Sequence, residues 1–168
     1  MKSLEVQPGD IYFIPLFLGD DYSLKSYSRY KFGQNEHNFC FCRIIKDEAG
    51  SGVLIEIYDY IGDLNSSVDI ITSKPRLIEP VRVAGEGIVK KRWRKVGESI
   101  NYDMELDSSY SQIRFVFGRG DDARCMCNGH EFSLEGLVNI ETIESAKIWT
   151  AAQLENRIIK LVVDCHKF

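Results

Sequence analysis

The sequence predicts a mainly β fold: an antiparallel, strongly twisted sheet or partly open barrel, closed by one C-terminal amphipathic α-helix. Three observations carry that prediction. Short apolar runs recur along the chain between turn residues such as Gly, Pro, Asn and Asp. The dipeptide Asn128-Gly129, a strong signal for a two-residue hairpin, lies within residues 123–134. Only the C-terminal residues combine a helix-start signal with a helical apolar repeat.

Taken in order, residues 10–16 follow Pro8-Gly9 and alternate loosely, which predicts a first strand. Residues 39–45 (FCFCRII) predict the second. Gly50 and Gly52 then break the chain before residues 53–60 (VLIEIYDY), where Val53, Ile55 and Ile57 share one face. Two such runs across a short glycine turn predict a hairpin. Pro75 and Pro80 bracket residues 76–79, expected as extended edge or connection because proline cannot donate to a ladder. Residues 88–96 (IVKKRWRKV) predict a long strand, with Val89, Lys91, Trp93 and Lys95 on one face and Ile88, Lys90, Arg92, Arg94 and Val96 on the other. Residues 113–117 and 137–143 add strands on either side of the Asn-Gly hairpin. Thr150 and Gln153 have the spacing of a capping box. Leu154, Ile158 and Leu161 follow at i, i+4 and i+7, leaving Glu155, Asn156 and Lys160 to face water.

A length of 168 residues fits a single domain spanning 1–168. Nine Phe, eight Tyr and two Trp supply a substantial core. No apolar run approaches the roughly 20 residues that span a bilayer, so no membrane partner is expected. The opening MKSLEVQPGD lacks a basic segment followed by an apolar one, so no secretory signal is read. The five cysteines are then expected as free thiols in a reducing compartment, and the cytoplasm is the expected location. Net charge is −4, yet residues 81–99 carry +4 and each flank −4. An acidic whole argues against a nucleic-acid partner and admits a basic one.

Catalytic signatures are missing: there is no G-x-S-x-G, H-E-x-x-H, P-loop or dinucleotide fingerprint. The chain is therefore not expected to be an enzyme, and no cofactor is expected. The pairs Asp20-Asp21 and Asp121-Asp122 could poise a proton or share a cation for a hydrolase, but adjacent loop carboxylates are more simply solvated charges. Cys40-x-Cys42 and Cys125-x-Cys127 could offer four thiolates to a metal if their strands were neighbours. A straight strand holds i and i+2 side chains about 7 Å apart, too wide for two sulfurs about 2.3 Å from one ion, so the thiols read as small core residues and no metal is expected. The basic strip around Trp93 could bind nucleic acid by phosphate contacts and stacking. A solvated edge strand with Trp93 turned inward explains it as well.

The order of several blocks resembles the bacterial Immunity protein 26 family. Pro8-Gly9-Asp10-Ile11 with Ile14-Pro15-Leu16 is similar to that family's opening. The FCFCRII strand, the strand ending in Tyr58-Asp59-Tyr60, and Lys74-Pro75 followed by Arg92-Trp93-Arg94-Lys95-Val96-Gly97 resemble its next segments. Gly136-Leu137 and Trp149 with Glu155-Asn156-Arg157-Ile158 look like its C-terminal end. Residues 19–38 are longer than the usual linker, and Cys40 and Cys42 stand at positions for small residues. The resemblance implies an immunity protein of a contact-dependent or polymorphic toxin system, a monomer that stays in the producer's cytoplasm and neutralises the C-terminal domain of a cognate toxin. It carries over no catalytic residue. For such a binder the richest segment is residues 19–38, with Asp20, Asp21 and Glu36 beside Tyr22, Tyr27 and Tyr30. The turn after residues 53–60, with Asp59, Tyr60 and Asp63, is a second candidate. The long loop could equally pack over a sheet edge.

Overall fold

Alternation of β-branched and aromatic residues builds the centre of the molecule. The computed structural model describes residues 4–19, 24–34, 39–134 and 142–165. Strand β1 (Asp10–Pro15) pairs antiparallel with β2 (Phe39–Asp47), which pairs antiparallel with β3 (Val53–Gly62). A 3-10 turn at Ala49–Ser51 and Gly52, at φ +87°, reverse the chain between β2 and β3, as the glycines predicted. Pleating sends Cys40, Cys42, Ile44, Ile55 and Ile57 to one face of this sheet, and Phe39, Phe41, Arg43, Leu54, Glu56 and Tyr58 to the other.

The chain continues through helix α1 (Val68–Thr72), strand β4 (Val81–Val83), helix α2 (Glu86–Val89), strand β5 (Arg94–Glu98) and helix α3 (Met104–Ser108). Strands β6 (Arg114–Phe117), β7 (Arg124–Cys127), β8 (His130–Ser133), β9 (Glu144–Ser145) and β10 (Ile148–Trp149) precede helix α4 (Ala151–Cys165). A six-stranded sheet runs β10-β4-β3-β2-β1-β5 and a four-stranded sheet runs β8-β7-β6-β9. The β10–β4 and β6–β9 pairs are parallel. The fold is thus mainly β with a C-terminal helix, as predicted, but it consists of two mixed sheets and no closed barrel.

Three apolar clusters flank the central sheet. Leu154 and Ile158 of α4 cover Cys40, Cys42, Ile44, Ile55 and Ile57, with Trp93 packed alongside. On the opposite face, Phe13, Phe32, Phe39, Phe41 and Tyr58 gather under Ile71 of α1. Ile45 and Leu54 extend that face to Ile113 and Phe115, joining the two sheets.

Helix α4 begins where predicted. The Thr150 hydroxyl accepts from the Gln153 N–H at 3.2 Å and the Gln153 side chain accepts from the Thr150 N–H at 3.2 Å, a complete capping box. Residues 88–96, by contrast, are not one strand. Helix α2 ends at Val89, and the backbone N–H groups of Arg92 and Trp93 both donate to the Gly87 carbonyl, at 2.8 and 3.0 Å. That reversal puts Lys91 at φ +61° and delays the strand to Arg94. Gly87 permits it: a Cβ there would lie 2.8 Å from the Ala151 Cβ, so α2 sits directly against the start of α4. The strand predicted over residues 137–143 falls mostly outside the described residues. Residues 76–79 form a connection along the sheet, one of the two forms expected: Arg76 makes an isolated bridge to Tyr58, the Leu77 N–H donates to the Ile57 carbonyl at 2.8 Å, and residues 77–79 bend.

Candidate functional site

Two polar nodes are buried in a sequence that otherwise reads as apolar core. At the first, Arg43 of β2 and Glu56 of β3 are cross-strand partners, and the Arg43 Nε donates to Glu56 Oε1 at 2.8 Å. Glu56 also accepts from Arg76 Nε at 3.0 Å, from the Tyr58 hydroxyl at 3.1 Å and from the Ser108 hydroxyl at 2.9 Å. Burial raises the Tyr58 hydroxyl well above its ordinary range and raises that of Tyr102 as well, with the nearby Glu56 charge adding to both. Arg43 reaches onward to Ser99 Oγ at 3.2 Å and the Asp107 carbonyl at 3.1 Å, and its guanidinium lies 4.6 Å from the Tyr102 ring. A buried carboxylate with two arginines needs this many partners to offset its desolvation.

The node fixes a surface loop. Residues 99–108 leave β5, turn at Asn101 (φ +55°) and enter α3, whose N-terminus Asp103 caps by accepting from the Glu105 and Leu106 N–H groups. Ser99 donates its N–H to the Gly9 carbonyl at 2.8 Å, and Gly9, at φ +93°, has no room for a Cβ because Tyr102 lies against it. Tyr102, Ser108 and the Asp107 carbonyl are all tied to the node. Ile100 and Leu106 point away from it and are 86% and 85% exposed. Between Val96 and Ile113 the sequence has Glu98, Asp103, Glu105 and Asp107 and no Lys or Arg. That charge run is legible in the sequence; the exposure of the aliphatics inside it is not, because it depends on which side chains the node turns inward. Helix α1, with Ile70 exposed, lies on the same side of the sheet, and a Cβ at Gly97 would meet Val68 at 2.5 Å.

Of the residues expected to bind, Asp20, Asp21, Tyr22 and Glu36 lie outside the described residues. Tyr27 is buried, its hydroxyl accepting from Arg92 Nη1 at 2.8 Å. Tyr30 is half-buried, its ring 4.6 Å from Phe32 and its carbonyl accepting from Arg94 at 3.0 Å. Tyr60 stacks on Phe41 at 5.8 Å, so Tyr27, Tyr30 and Tyr60 all border one aromatic cluster. Asp59 is exposed at the end of β3. Asp63 Oδ1 accepts from the Asn65 N–H at 2.8 Å.

The second node takes apart the basic strip. Arg92 is buried and donates to Glu155 at 2.9 Å and to the Gly19 carbonyl at 2.8 Å. Trp93 Nε1 donates to the same carboxylate at 2.8 Å. Glu155, expected to face water, is instead 2% exposed, because the inward-turned Arg92 needs a counter-charge on the covering helix. Arg94 is bound to the Tyr30 carbonyl, and Lys95 bridges Asp10 at 2.8 Å. Lys90 and Lys91 are left exposed, too few for a nucleic-acid groove.

The cysteine pairs lie in different sheets. Cys40 and Cys42 face the core under α4, and burial pushes the Cys40 thiol up to about 12. Cys125 is buried on β7, and Cys127 donates to the Ser111 carbonyl at 3.0 Å. Among the described residues no group of three or more His, Cys, Asp or Glu could hold a metal ion.

The family model of Immunity protein 26 matches residues 7–122, more than half of the chain. The chain belongs to the Immunity protein 26 family. No curated protein and no solved structure matches it. The family match spans β1 to β6, so it includes the Arg43–Glu56 node and the loop that the node holds. It stops before the β7–β8 hairpin and α4, so Arg92 lies within it and Glu155 beyond it. Immunity proteins are typically non-enzymatic and their family implies a toxin as partner. Among the described residues no helix is long and apolar enough to cross a membrane.

Proposed function

We propose that this chain is an immunity protein that binds the C-terminal domain of a cognate toxin in the producer's cytoplasm and blocks it without chemistry of its own. Membership of the Immunity protein 26 family over residues 7–122 carries the reading. The construction of the molecule supports it: inhibition by binding needs a rigid frame and a charged surface with apolar anchors. The chain acts as a single-domain monomer, and its contacts with the toxin come from acidic loops, with Asp20, Asp21 and Glu36 on residues 19–38 and Asp59 and Asp63 beside Tyr60 as candidates. The test is co-expression with the toxin domain encoded immediately upstream. Growth restored by this chain, with a stable complex on size exclusion, is the expected result; unrelieved toxicity with no complex would overturn it.

A further inference from the structure

We infer that the loop of residues 99–108 is a further docking surface, beside those candidates, for a Lys/Arg-rich face of the toxin, with Ile100 and Leu106 as its apolar anchors; this rests on the immunity reading above. Single exposed aliphatics are ordinary on protein surfaces. Here two of them, the most exposed large apolar side chains among the described residues, sit six positions apart on one loop. That loop is not loose. Hydrogen bonds from Arg43 to the Asp107 carbonyl, from Ser108 to Glu56 and from the Ser99 N–H to the Gly9 carbonyl tie it to the central sheet, and Tyr102 bonds Ser108 within the loop. Its ordering cost is met in folding and is not charged to binding, which is how a preorganised surface gains affinity. The free ends of that arrangement are the two side chains that the node does not use.

Charge names the partner. Glu98, Asp103, Glu105 and Asp107 are interspersed with the anchors along the loop and are all exposed, and no Lys or Arg lies between Val96 and Ile113. The bases that reach the loop are already engaged: Arg43 and Arg76 bond the Asp107 and Ser108 carbonyls and share Glu56, and Lys95 is paired with Asp10 and Glu98. Exposed apolar side chains interspersed with one sign of charge suit an interface whose anchors give affinity and whose charges steer encounter. An acidic surface repels acidic partners and nucleic acid alike, so the complementary face is basic, with a hollow that takes two aliphatic side chains.

The experiment compares wild type with Ile100→Ser/Leu106→Ser, with Phe132→Ser on β8 as a second exposed-apolar control. Binding to the upstream-encoded toxin domain is measured by surface plasmon resonance at low and high salt. The double variant is expected to keep the wild-type melting temperature and lose on the order of 30-fold or more in affinity. Wild type is expected to lose association rate as salt rises, and Phe132→Ser to bind as wild type does. Unchanged affinity of the double variant in a toxin that wild type binds would overturn the surface alone. A wild type that neither binds nor protects would overturn the immunity reading and the surface with it. A wild-type dimer that the double variant converts to monomer would assign the loop to a second copy, and would also overturn the inference.

Discussion

Glu56 shows how much one residue can organise. It sits between the aromatic cluster and the seam joining the two sheets, and it gathers Arg43, Arg76, Tyr58 and Ser108. Glu56→Ala would leave Arg43, 7% exposed, as an uncompensated buried cation. We expect a loss of about 3–5 kcal/mol in urea unfolding, against about 1 kcal/mol or less for Arg157→Ala, whose pair with Glu144 is more open. Equal losses at the two sites would contradict the burial argument. At this scale the sequence was only partly legible. Cys40 and Cys42 were readable as core residues because strand spacing excludes shared metal ligation. Glu155 was not, because a helical repeat counts apolar positions and a buried carboxylate is justified only by a partner 63 positions away.

Elements were most legible where backbone chemistry is local. The Asn128-Gly129 turn has both residues at positive φ, +50° and +78°, as a two-residue hairpin requires. The α4 capping box is equally local, and Thr150→Ala is expected to cost about 1 kcal/mol in thermal or urea unfolding. No change would show that the Glu86 carboxylate, which accepts from the Ala151 N–H at 2.9 Å, caps the helix unaided. Legibility failed over residues 88–96, where Ile88, Val89, Trp93 and Val96 around a run of basic residues mimic a strand. The reversal there depends on Gly87 fitting against Ala151, a contact 64 positions away in sequence that no local pattern encodes. Helices α1 and α3 escaped notice for a simpler reason: five residues are too few to show a helical repeat.

At the scale of the whole molecule, burial of ionisable groups sets the alkaline limit of stability. The Cys40 thiol moves from 9.0 to about 12, and Cys42 and Tyr58 move upward as well. The unfolded chain therefore releases these protons first, and the stability they represent is complete below pH 9 and lost as pH rises toward 12. Each group contributes a slope of up to about 1.4 kcal/mol per pH unit in that window. Melting temperature should fall steadily above pH 9, and Cys40→Ala should flatten the fall; a level profile to pH 11 would refute the assignment. The overall class, β sheets with a terminal helix, was legible from turn chemistry and patterning. The division into two sheets was not, because the parallel pairs involve strands of two and three or four residues with no periodicity to read. One of those pairs has a consequence for biosynthesis. Strand β10 closes the edge of β4, and α4 immediately after it covers the Cys40–Ile55 face, so both protections come from residues 148–165. On the ribosome, the central hairpin emerges long before its cover. The nascent chain therefore carries an open strand edge and a bare aliphatic face until residues 148–165 have emerged, an interval in which both invite association with other chains.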